Sequence, residues 1–468
     1  MRGLALTGSP MRHNDAVMWA IERDPQLRST ITAIMLLDRA PDVARIQQRL
    51  EALVAEVPRL RQHVANPLLG VGVPRWVDDD DFDLRYHLRT IAAPLRADPR
   101  WLMDYAASMA EAAFDRDRPL WEFVVVEGLA DGRAALVQKV HHALTDGIGG
   151  VQLMIGLLDQ TRNGRPAAAR SRATAGVAPV AGDPAARVDR GRAWPALRAL
   201  PVLPGWARTL VVHPMSAATT TWNTATSIRR FLSPGGRQLS PVLRGRSIGW
   251  RFDSLELPVA DLHQAGEAAQ GTINDAFLAA VAGGLRRYHL AHGANVEQLR
   301  ITLPISLRTA HDTPGSNRFT PVRFALPVGE EDPVARIRQI GALCRRWRHE
   351  EALPFTDAIA GALNRLHPVV TTAVMSSLLK GIDVVATNVP GVPFRCYLGG
   401  AEVLRHYGLA PLTGAAVNVA LLTHAGTACI GINTDRAAVA DPEFLVCCLQ
   451  DGFDELRELA EQSRRRAS

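Results

Sequence analysis

The chain has 468 residues, of which 47% are hydrophobic and 21% charged, and its formal net charge is +6. This ordinary globular composition excludes a disordered protein, and the length predicts two domains. No apolar run reaches membrane-spanning length, and the N-terminus lacks the apolar core of a secretory signal, so we expect a cytoplasmic protein.

The cysteines and the positive charge bear on possible ligands. The five cysteines lack zinc-type spacing and are odd in number, so we interpret them as structural thiols and expect no metal. The charge suits an anionic membrane surface, a phosphate-bearing ligand or nucleic acid. Because no nucleic-acid-binding motif accompanies it, we expect no nucleic-acid partner.

The first part of the chain alternates strand-like and helix-like patterns. Residues 29–37 are rich in Thr and Ile and predict a strand, and residues 101–114 carry apolar side chains at helical spacing. Alternating apolar residues over 82–88 predict a further strand. The four aspartates at 78–81 predict a solvated turn before it, with a metal site as the alternative.

Two strand-like runs, 121–126 and 133–140, are separated by an Asp-Gly turn and predict a hairpin. The second run leads directly into His141 and His142. Because side chains alternate across a strand, the two imidazoles should project to opposite faces. Only one of them can then face a given cavity.

The residues after the two histidines predict a turn into a helix. Thr145 or Asp146 is positioned to cap that helix, and Gly147 permits close approach of the backbone at its start. An imidazole can accept a hydroxyl proton near neutral pH and return it to a leaving group. The carboxylate of Asp146, four residues after His142, would brace the turn and orient such a base.

Composition changes sharply after this helix. Residues 162–192 are mostly Ala, Arg, Pro and Gly, which predicts a mobile linker. Tryptophans and leucines return among arginines and prolines over 194–232. This mixture is typical of either an interfacial element or a crossover between domains.

The last part of the chain predicts a second domain of strands and helices. Thr272 caps a helix that begins near Asn274, so Asn274 and Asp275 either start this helix or supply donors to developing negative charge. A strand over 301–306 leads to Arg308, whose guanidinium could clamp a buried carboxylate.

Three more segments complete the predicted elements. Residues 383–388 predict a strand that enters a Pro-Gly turn. Residues 418–422 and 430–433 predict a strand pair, and a final helix runs over about 441–462.

The motif His-His-x-x-x-Asp-Gly resembles the signature of the CoA-dependent acyltransferase superfamily, which includes chloramphenicol acetyltransferase and the condensation domains of peptide synthetases. Four further motifs, in order along most of the chain, resemble the bacterial wax ester synthase/diacylglycerol acyltransferase family. They are Arg118-Pro119-Leu120-Trp121, Thr272-Ile273-Asn274-Asp275, Pro304-Ile305-Ser306-Leu307-Arg308 with the later Asn317, and Thr387-Asn388-Val389-Pro390-Gly391. One short motif would be weak evidence, whereas five in order are strong.

The resemblance implies an α/β fold, an α+β sandwich of two chloramphenicol-acetyltransferase-like domains. Each is a mixed sheet flanked by helices, and the two meet around a central channel. We expect an N-terminal domain over 1–161, a linker and crossover over 162–245, and a C-terminal domain over 246–468.

The resemblance also implies the chemistry. His142 matches the catalytic base, which would deprotonate an alcohol that attacks the acyl-CoA thioester, and His141 matches the supporting histidine. Acyl-CoA would be the co-substrate, with no other cofactor. The acceptor would be diacylglycerol or a long-chain alcohol, reached by peripheral contact with an anionic membrane or a lipid droplet.

Further residues receive roles from the same resemblance. Asp146 and Gly147 complete the catalytic motif. Independently of the resemblance, we predict that Asp146 is structural and pairs with a buried arginine, for which Arg308 is the candidate. Supporting or oxyanion roles fall to Asn274, Asp275 and Arg308, and the candidates that line the substrate channel are Pro119, Trp121, Ser306, Asn317, Thr387 and Asn388.

Two alternatives stay open. The first is acyl transfer to the hydroxyl of a specialised metabolite, and the second is a non-catalytic lipid-binding scaffold. Thr387 stands where the family commonly has serine, which bears on the choice of acceptor.

Overall fold

The computed structural model describes residues 8–67, 71–95, 97–164, 238–306, 319–348 and 356–467. Its elements in the first 164 residues are β1 Ser9–Pro10, α1 His13–Ile21, β2 Thr30–Leu37, α2 Val43–Glu56, β3 Gln62–Ala65, β4 Arg75–Asp78, α3 Leu84–His87, β5 Leu88–Ala92, α4 Pro99–Glu111, β6 Trp121–Glu127, β7 Ala134–His141 and α5 Gly147–Leu157.

The elements after residue 237 are β8 Trp250–Pro258, α6 Val259–Ala268, α7 Ile273–Ala291, β9 Gln298–Ser306, β10 Phe319–Pro327, α8 Pro333–Arg348, α9 Thr356–Leu363, α10 Pro368–Leu379, β11 Val384–Val392, β12 Tyr397–Leu398, β13 Ala401–Leu409, β14 Val417–His424, β15 Thr427–Asp435 and α11 Pro442–Ala467.

Two six-stranded mixed sheets dominate the described part of the chain. The first has the order β12-β13-β2-β7-β6-β5, and the second has the order β10-β9-β11-β14-β15-β8. Helices α2 and α5 cover one face of the first sheet and α4 covers the other, whereas α7 and α11 belong to the core of the second sheet. The predicted fold class, a two-domain arrangement of mixed sheets with flanking helices, is confirmed.

The hairpin that carries the two histidines forms as predicted. Strands β6 and β7 are antiparallel, with Trp121 opposite Val140. A short turn over Ala130–Gly132 joins them, and Asp131 adopts a φ of 60°, in the left-handed region that Asp tolerates better than most residues. The central strand β2 pairs with β7 along its length, so the strand end is held on both sides.

Strand β13 crosses from the C-terminal part of the chain into the first sheet. It pairs with β2, with Gly408 opposite Ala33. The two sheets therefore do not coincide with the contiguous blocks 1–161 and 246–468. Pairing between strands so distant in sequence leaves no local pattern by which the exchange could be recognised.

The two sheets approach each other closely where β13 meets β15. A Cβ atom built on Gly431 would lie 1.9 Å from the carbonyl oxygen of Gly408, so only glycine fits there. Trp250 and Phe252 pack with apolar residues of α4 in a cluster that also holds Leu409 of β13 and Cys429 of β15. Arg100 of α4 reinforces the junction through an ion pair with Asp253 at 2.6 Å.

Two predictions about local structure were wrong. The predicted strand over 82–88 is instead the helical turn α3, because the Asp83 side chain accepts a hydrogen bond from the Arg85 backbone and caps it. The predicted Pro-Gly turn after Asn388 is instead a continuation of β11 with a register shift. Gly391 permits this path, since a Cβ there would lie 1.9 Å from the Thr423 carbonyl oxygen.

The predicted linker over 162–192 lies outside the described residues beyond residue 164, and the predicted interfacial or crossover segment over 194–232 lies outside them entirely. Within the described part of the chain, no helix is both long and apolar enough to cross a membrane.

Candidate active site

The candidate site is built at the junction between β7 and α5. The backbone N–H of His142 donates to the Ser29 carbonyl at 2.8 Å, which continues the pairing with the β2 side of the sheet. Asp146 is the N-cap of α5, and its carboxylate accepts from the Gly149 N–H at 2.7 Å. The chain therefore leaves the strand through a short turn that is fixed at both ends.

His141 lies on the side of this junction that does not border the cavity, which we call the closed face; the side that borders the cavity is the open face. It is fully buried, its Nδ1 accepts from the Ala143 N–H at 2.9 Å, and its Nε2 lies 2.9 Å from Oε1 of Glu22. Burial alone would raise the pKa of Glu22, but the facing His141 imidazole holds that pKa below its ordinary value. Trp19 and Phe114 contact the same imidazole ring with T-shaped geometry.

His142 lies on the opposite side and lines a cavity of about 380 Å³. Its side chain is half-buried, and burial lowers its pKa below 6.5, with the neighbouring His141 acting in the same direction and Asp146 opposing it. The imidazole is therefore neutral near pH 7, the state in which it can accept a proton. The predicted projection of the two histidines to opposite faces is confirmed.

The cavity lies between the two sheets and is walled mainly by apolar side chains. Helices α1, α2, α5, α9 and α10 contribute many of them, and β13 and β14 contribute others. Polar side chains at its surface include Gln138, Thr302, Arg323, Thr387, Asn388, His406 and Asn418, and the acidic residues Asp15 and Asp146 also line it. A cavity whose surface is mainly apolar suits a lipid-like ligand.

Several predicted residues converge on this cavity. Trp121, Gly147, Thr387 and Asn388 line it together with His142. The indole N–H of Trp121 donates to the Leu60 carbonyl at 2.8 Å, which fixes the ring in the wall. Gly147 is needed for close packing of α5 on β11, because a Cβ there would lie 2.9 Å from a methyl group of Val389.

Other predicted residues lie away from the cavity surface. Pro119 is buried and is not among the lining residues. Asp275 forms a capping box with Thr272, whose backbone N–H donates to the Asp275 carboxylate at 2.9 Å. Asn274 accepts from the Asn388 side-chain amide at 3.5 Å, so it borders the site through a residue that lines it.

The remaining predicted positions fall on undescribed parts of the chain. Arg308 and Asn317 lie outside the described residues, and Ser306 ends β9 with a side chain that is not described. The pairing of Asp146 with Arg308 therefore stays a prediction.

At the four aspartates, Asp79 accepts from the Asp81 N–H at 3.0 Å and pairs with Arg118 at 3.4 Å.

Several polar cavity residues were not predicted, and Gln138 and His406 illustrate two different reasons. Gln138 precedes Val140 and His142 at strand spacing, so the alternation rule that separated the histidines could have found it. His406 comes from β13, and burial lowers its pKa to about 3. No local signal could have placed it on the cavity that His142 lines, because β13 reaches the first sheet only through the unpredicted crossover.

The two mixed sheets and the strand-end His-His-x-x-x-Asp-Gly motif define a protein of the CoA-dependent acyltransferase type. The sequence model of the wax ester synthase/diacylglycerol acyltransferase catalytic domain matches residues 11–277, and that of the WS/DGAT C-terminal domain matches residues 315–457. The chain belongs to the wax ester synthase/diacylglycerol acyltransferase family. It is therefore an acyltransferase that acts on a hydroxyl acceptor, and the predicted family is confirmed.

Two relatives from Mycobacterium tuberculosis illustrate the similarity. A putative diacylglycerol O-acyltransferase of strain H37Rv is 38% identical over 455 residues, which cover 95% of this chain and 91% of the relative. A probable diacylglycerol O-acyltransferase of the same strain is 30% identical over 436 residues, which cover 91% of this chain and 90% of the relative.

Solved structures show the same fold. The wax ester synthase/diacylglycerol acyltransferase from Marinobacter aquaeolei VT8 matches with a TM-score of 0.62 at 22% identity, covering 97% of this chain and 100% of that one. The first condensation domain of the calcium-dependent antibiotic synthetase, solved with a substrate analogue, matches with a TM-score of 0.62 at 16% identity and covers 97% of each chain.

Proposed function

We propose that this protein transfers a long-chain acyl group from acyl-CoA to the hydroxyl of diacylglycerol or a long-chain alcohol, with His142 as the general base. The observation that carries the proposal is the surroundings of His142. Its half-buried imidazole, with a pKa lowered by burial, borders an apolar cavity of about 380 Å³. A neutral base beside an apolar cavity suits the deprotonation of a lipid alcohol.

The reaction needs only the two substrates and one proton acceptor. The acceptor hydroxyl gives its proton to His142 as its oxygen attacks the thioester carbonyl carbon. The new C–O bond forms, the C–S bond breaks, and the proton held by His142 passes to the CoA thiolate. The products are an ester and free CoA, and the imidazole returns to its neutral state.

His141 and Asp146 have positioning roles in this scheme. The contacts of His141 with Glu22 and Ala143 hold the end of β7 in place. The cap formed by Asp146 fixes the start of α5. Neither residue has to touch the substrate. The negative charge of Asp146 also opposes the effect of burial on the pKa of His142, which preserves part of the basicity that a general base needs.

The choice of diacylglycerol as an acceptor rests on the relatives, two of which are named as diacylglycerol O-acyltransferases. The long-chain alcohol rests on the family description. Apolar side chains dominate the cavity wall, and they stabilise bound acyl chains by about 25 cal/mol for each Å² of apolar surface removed from water.

A thiol-release assay tests the proposed function. Purified protein is incubated with palmitoyl-CoA and, in separate reactions, dioleoylglycerol, hexadecanol, a panel of small polar alcohols, or no acceptor. We expect CoA release and ester formation with one or both lipid alcohols and little release without an acceptor. Preference for a small polar alcohol would favour the specialised-metabolite alternative, and absence of any transfer would favour a lipid-binding scaffold.

We also propose that the protein reaches its acceptor by peripheral contact with anionic lipid through residues 194–232. Three tryptophans with flanking arginines support this, because such residues suit the membrane interface. Co-sedimentation with anionic vesicles should weaken with added salt and in Trp206→Ala and Arg208→Glu. If the parent does not bind, or if these variants bind like the parent, the segment serves only as a crossover.

A further inference from the structure

Gln138 is a buried polar residue that the proposed mechanism does not use. It is only 4% exposed and lines the cavity, and its Nε2 has no hydrogen-bond partner among the described residues. Leaving a buried amide donor without an acceptor costs free energy. A ligand that brings an acceptor oxygen to this point would remove that cost.

The position of Gln138 along β7 limits which part of a ligand it can reach. Gln138, Val140 and His142 face the cavity from alternate positions of one chain segment. The chain advances by four residues from Gln138 to His142, which places their α-carbons about 13 Å apart in extended conformation. The thioester carbonyl must lie at His142 for the reaction, so a different oxygen of the bound substrates is the one within reach of Gln138.

The sheet leaves room for a ligand beside Gln138. Across the neighbouring strands, Gln138 is in register with Ala33, and Ala33 is in register with Gly408. These three residues share a face and all line the cavity. Ala33 and Gly408 contribute little side-chain bulk on this side of Gln138, where a Cβ built on Gly408 would lie 3.9 Å from Cβ of Leu422, and Phe123 is in register on the other side.

We infer that Gln138 donates a hydrogen bond to an ester carbonyl of a glycerolipid acceptor whose free hydroxyl lies at His142. This deepens the proposed function and rests on it. Diacylglycerol carries ester carbonyls a few bonds from its hydroxyl. A long-chain alcohol has only methylene groups there and would leave the amide unpaired. Gln138 thus favours glycerolipid acceptors over simple alcohols.

The test compares two acceptors that differ only in those carbonyl groups. A 1,2-diacylglycerol and the 1,2-dialkylglycerol diether of equal chain length are assayed with parent protein and with Gln138→Met, which keeps the side-chain length but removes the donor. We expect the parent to favour the diester by about tenfold in kcat/KM, the effect of one buried hydrogen bond. Gln138→Met should lose this preference by slowing the diester reaction, without slowing transfer to hexadecanol.

Thr302→Val is the matched control. Thr302 is also buried and lines the cavity, and its Oγ1 has no partner among the described residues, but it belongs to the second sheet. Its variant should keep the parent's preference for the diester. Loss of preference in both variants would mean that general changes in cavity polarity set the choice of acceptor, and would overturn the role assigned to Gln138.

The outcomes separate this inference from the proposed function. If Gln138→Met keeps the parent's preference for the diester, the inference is wrong even though the enzyme transfers acyl groups. If the parent transfers to no acceptor, the proposed function fails instead. In that case, the melting temperature is measured with each of the two glycerolipids. The inference requires that the diester raise the melting temperature of the parent more than the diether does, and that this difference disappear in Gln138→Met.

Discussion

The two faces of β7 have opposite surroundings at its C-terminal end. On one face, Lys139 and His141 are buried beside acidic groups, with Lys139 Nζ 3.1 Å from Glu122 and His141 Nε2 2.9 Å from Glu22. On the other face, Gln138 and His142 line an apolar cavity. Glu122 and Glu22 therefore have basic partners within the protein on the first face, whereas the second face borders the cavity.

The difference gives two adjacent histidines distinct surroundings, which fits the distinct roles proposed for them. A buried ion pair is costly to form but holds its partners firmly, because removing either one leaves an uncompensated charge. Burial lowers the pKa of Lys139, and the facing Glu122 opposes that change. The closed face thus anchors the strand, and the anchored strand presents His142 at a fixed place on the cavity wall.

The largest expected effect is a loss of acyl-transfer activity when His142, the proposed base on the open face, is replaced. His142→Ala should reduce acyl transfer by roughly a hundredfold to ten-thousandfold, the usual contribution of a general base. Its circular dichroism and melting temperature should stay close to those of the parent, because the strand end is held from the other face. Substantial turnover by a well-folded His142→Ala protein would contradict the assignment.

A change on the closed face should act mainly through stability. His141→Ala removes the partner of Glu22 and should lower the free energy of unfolding by about 3 kcal/mol, measured by urea denaturation. Activity should fall less than in His142→Ala when assayed well below the melting temperature. Glu22→Gln is the control, since the neutral amide keeps an acceptor for His141 and should cost less. Equal stability of parent and His141→Ala would mean that the closed face does not stabilise the strand end through His141 and Glu22.

The cavity face should also make the protein sensitive to acid. The pKa of His406 is lowered to about 3, so the folded state binds fewer protons than the unfolded state between that pH and 6.5. Stability is therefore complete above pH 6.5 and falls as the pH decreases, by about 1.4 kcal/mol for one pH unit. His406→Gln should flatten this dependence in denaturation measured from pH 7 to 5. An unchanged slope would exclude His406 as a source.

The cap at Asp146 should give the smallest effect. Asp146→Ala removes the acceptor for the Gly149 N–H, and loss of this cap alone should cost about 1 kcal/mol of stability. Asp146→Asn keeps an acceptor but removes the charge, so it tests the predicted pairing with Arg308. If Asp146→Asn destabilises the protein by roughly 3–5 kcal/mol, a buried charge pair is present. A loss of activity without loss of stability would indicate a direct chemical role for Asp146.

Local patterns predicted the parts of the fold that local interactions determine. The β6–β7 hairpin, the helix capped by Thr272 and the opposed histidines all follow from strand alternation, turn residues and capping side chains. The helical turn at 84–87 was missed because Asp83 caps it, which outweighs the apolar alternation.

The rest of the site depends on contacts between distant segments. His406 reaches the cavity because β13 adds to β2, and the sheets meet closely because Gly431 lies against Gly408. Neither contact has a signature within a short stretch of sequence. Gln138 is different, because the spacing that separates His141 from His142 also places it on the cavity face.

The pH dependence of acyl transfer tests the role of His142 most directly. The value of kcat/KM should be measured across a pH range in which the protein stays folded, for the parent and for His142→Ala. The parent's rate should rise with pH through a midpoint below 6.5 and then level off, because burial lowers the pKa of His142. The residual activity of His142→Ala should lack this rise. A parent midpoint above 6.5, or the same rise in His142→Ala, would contradict the assignment of His142 as the base.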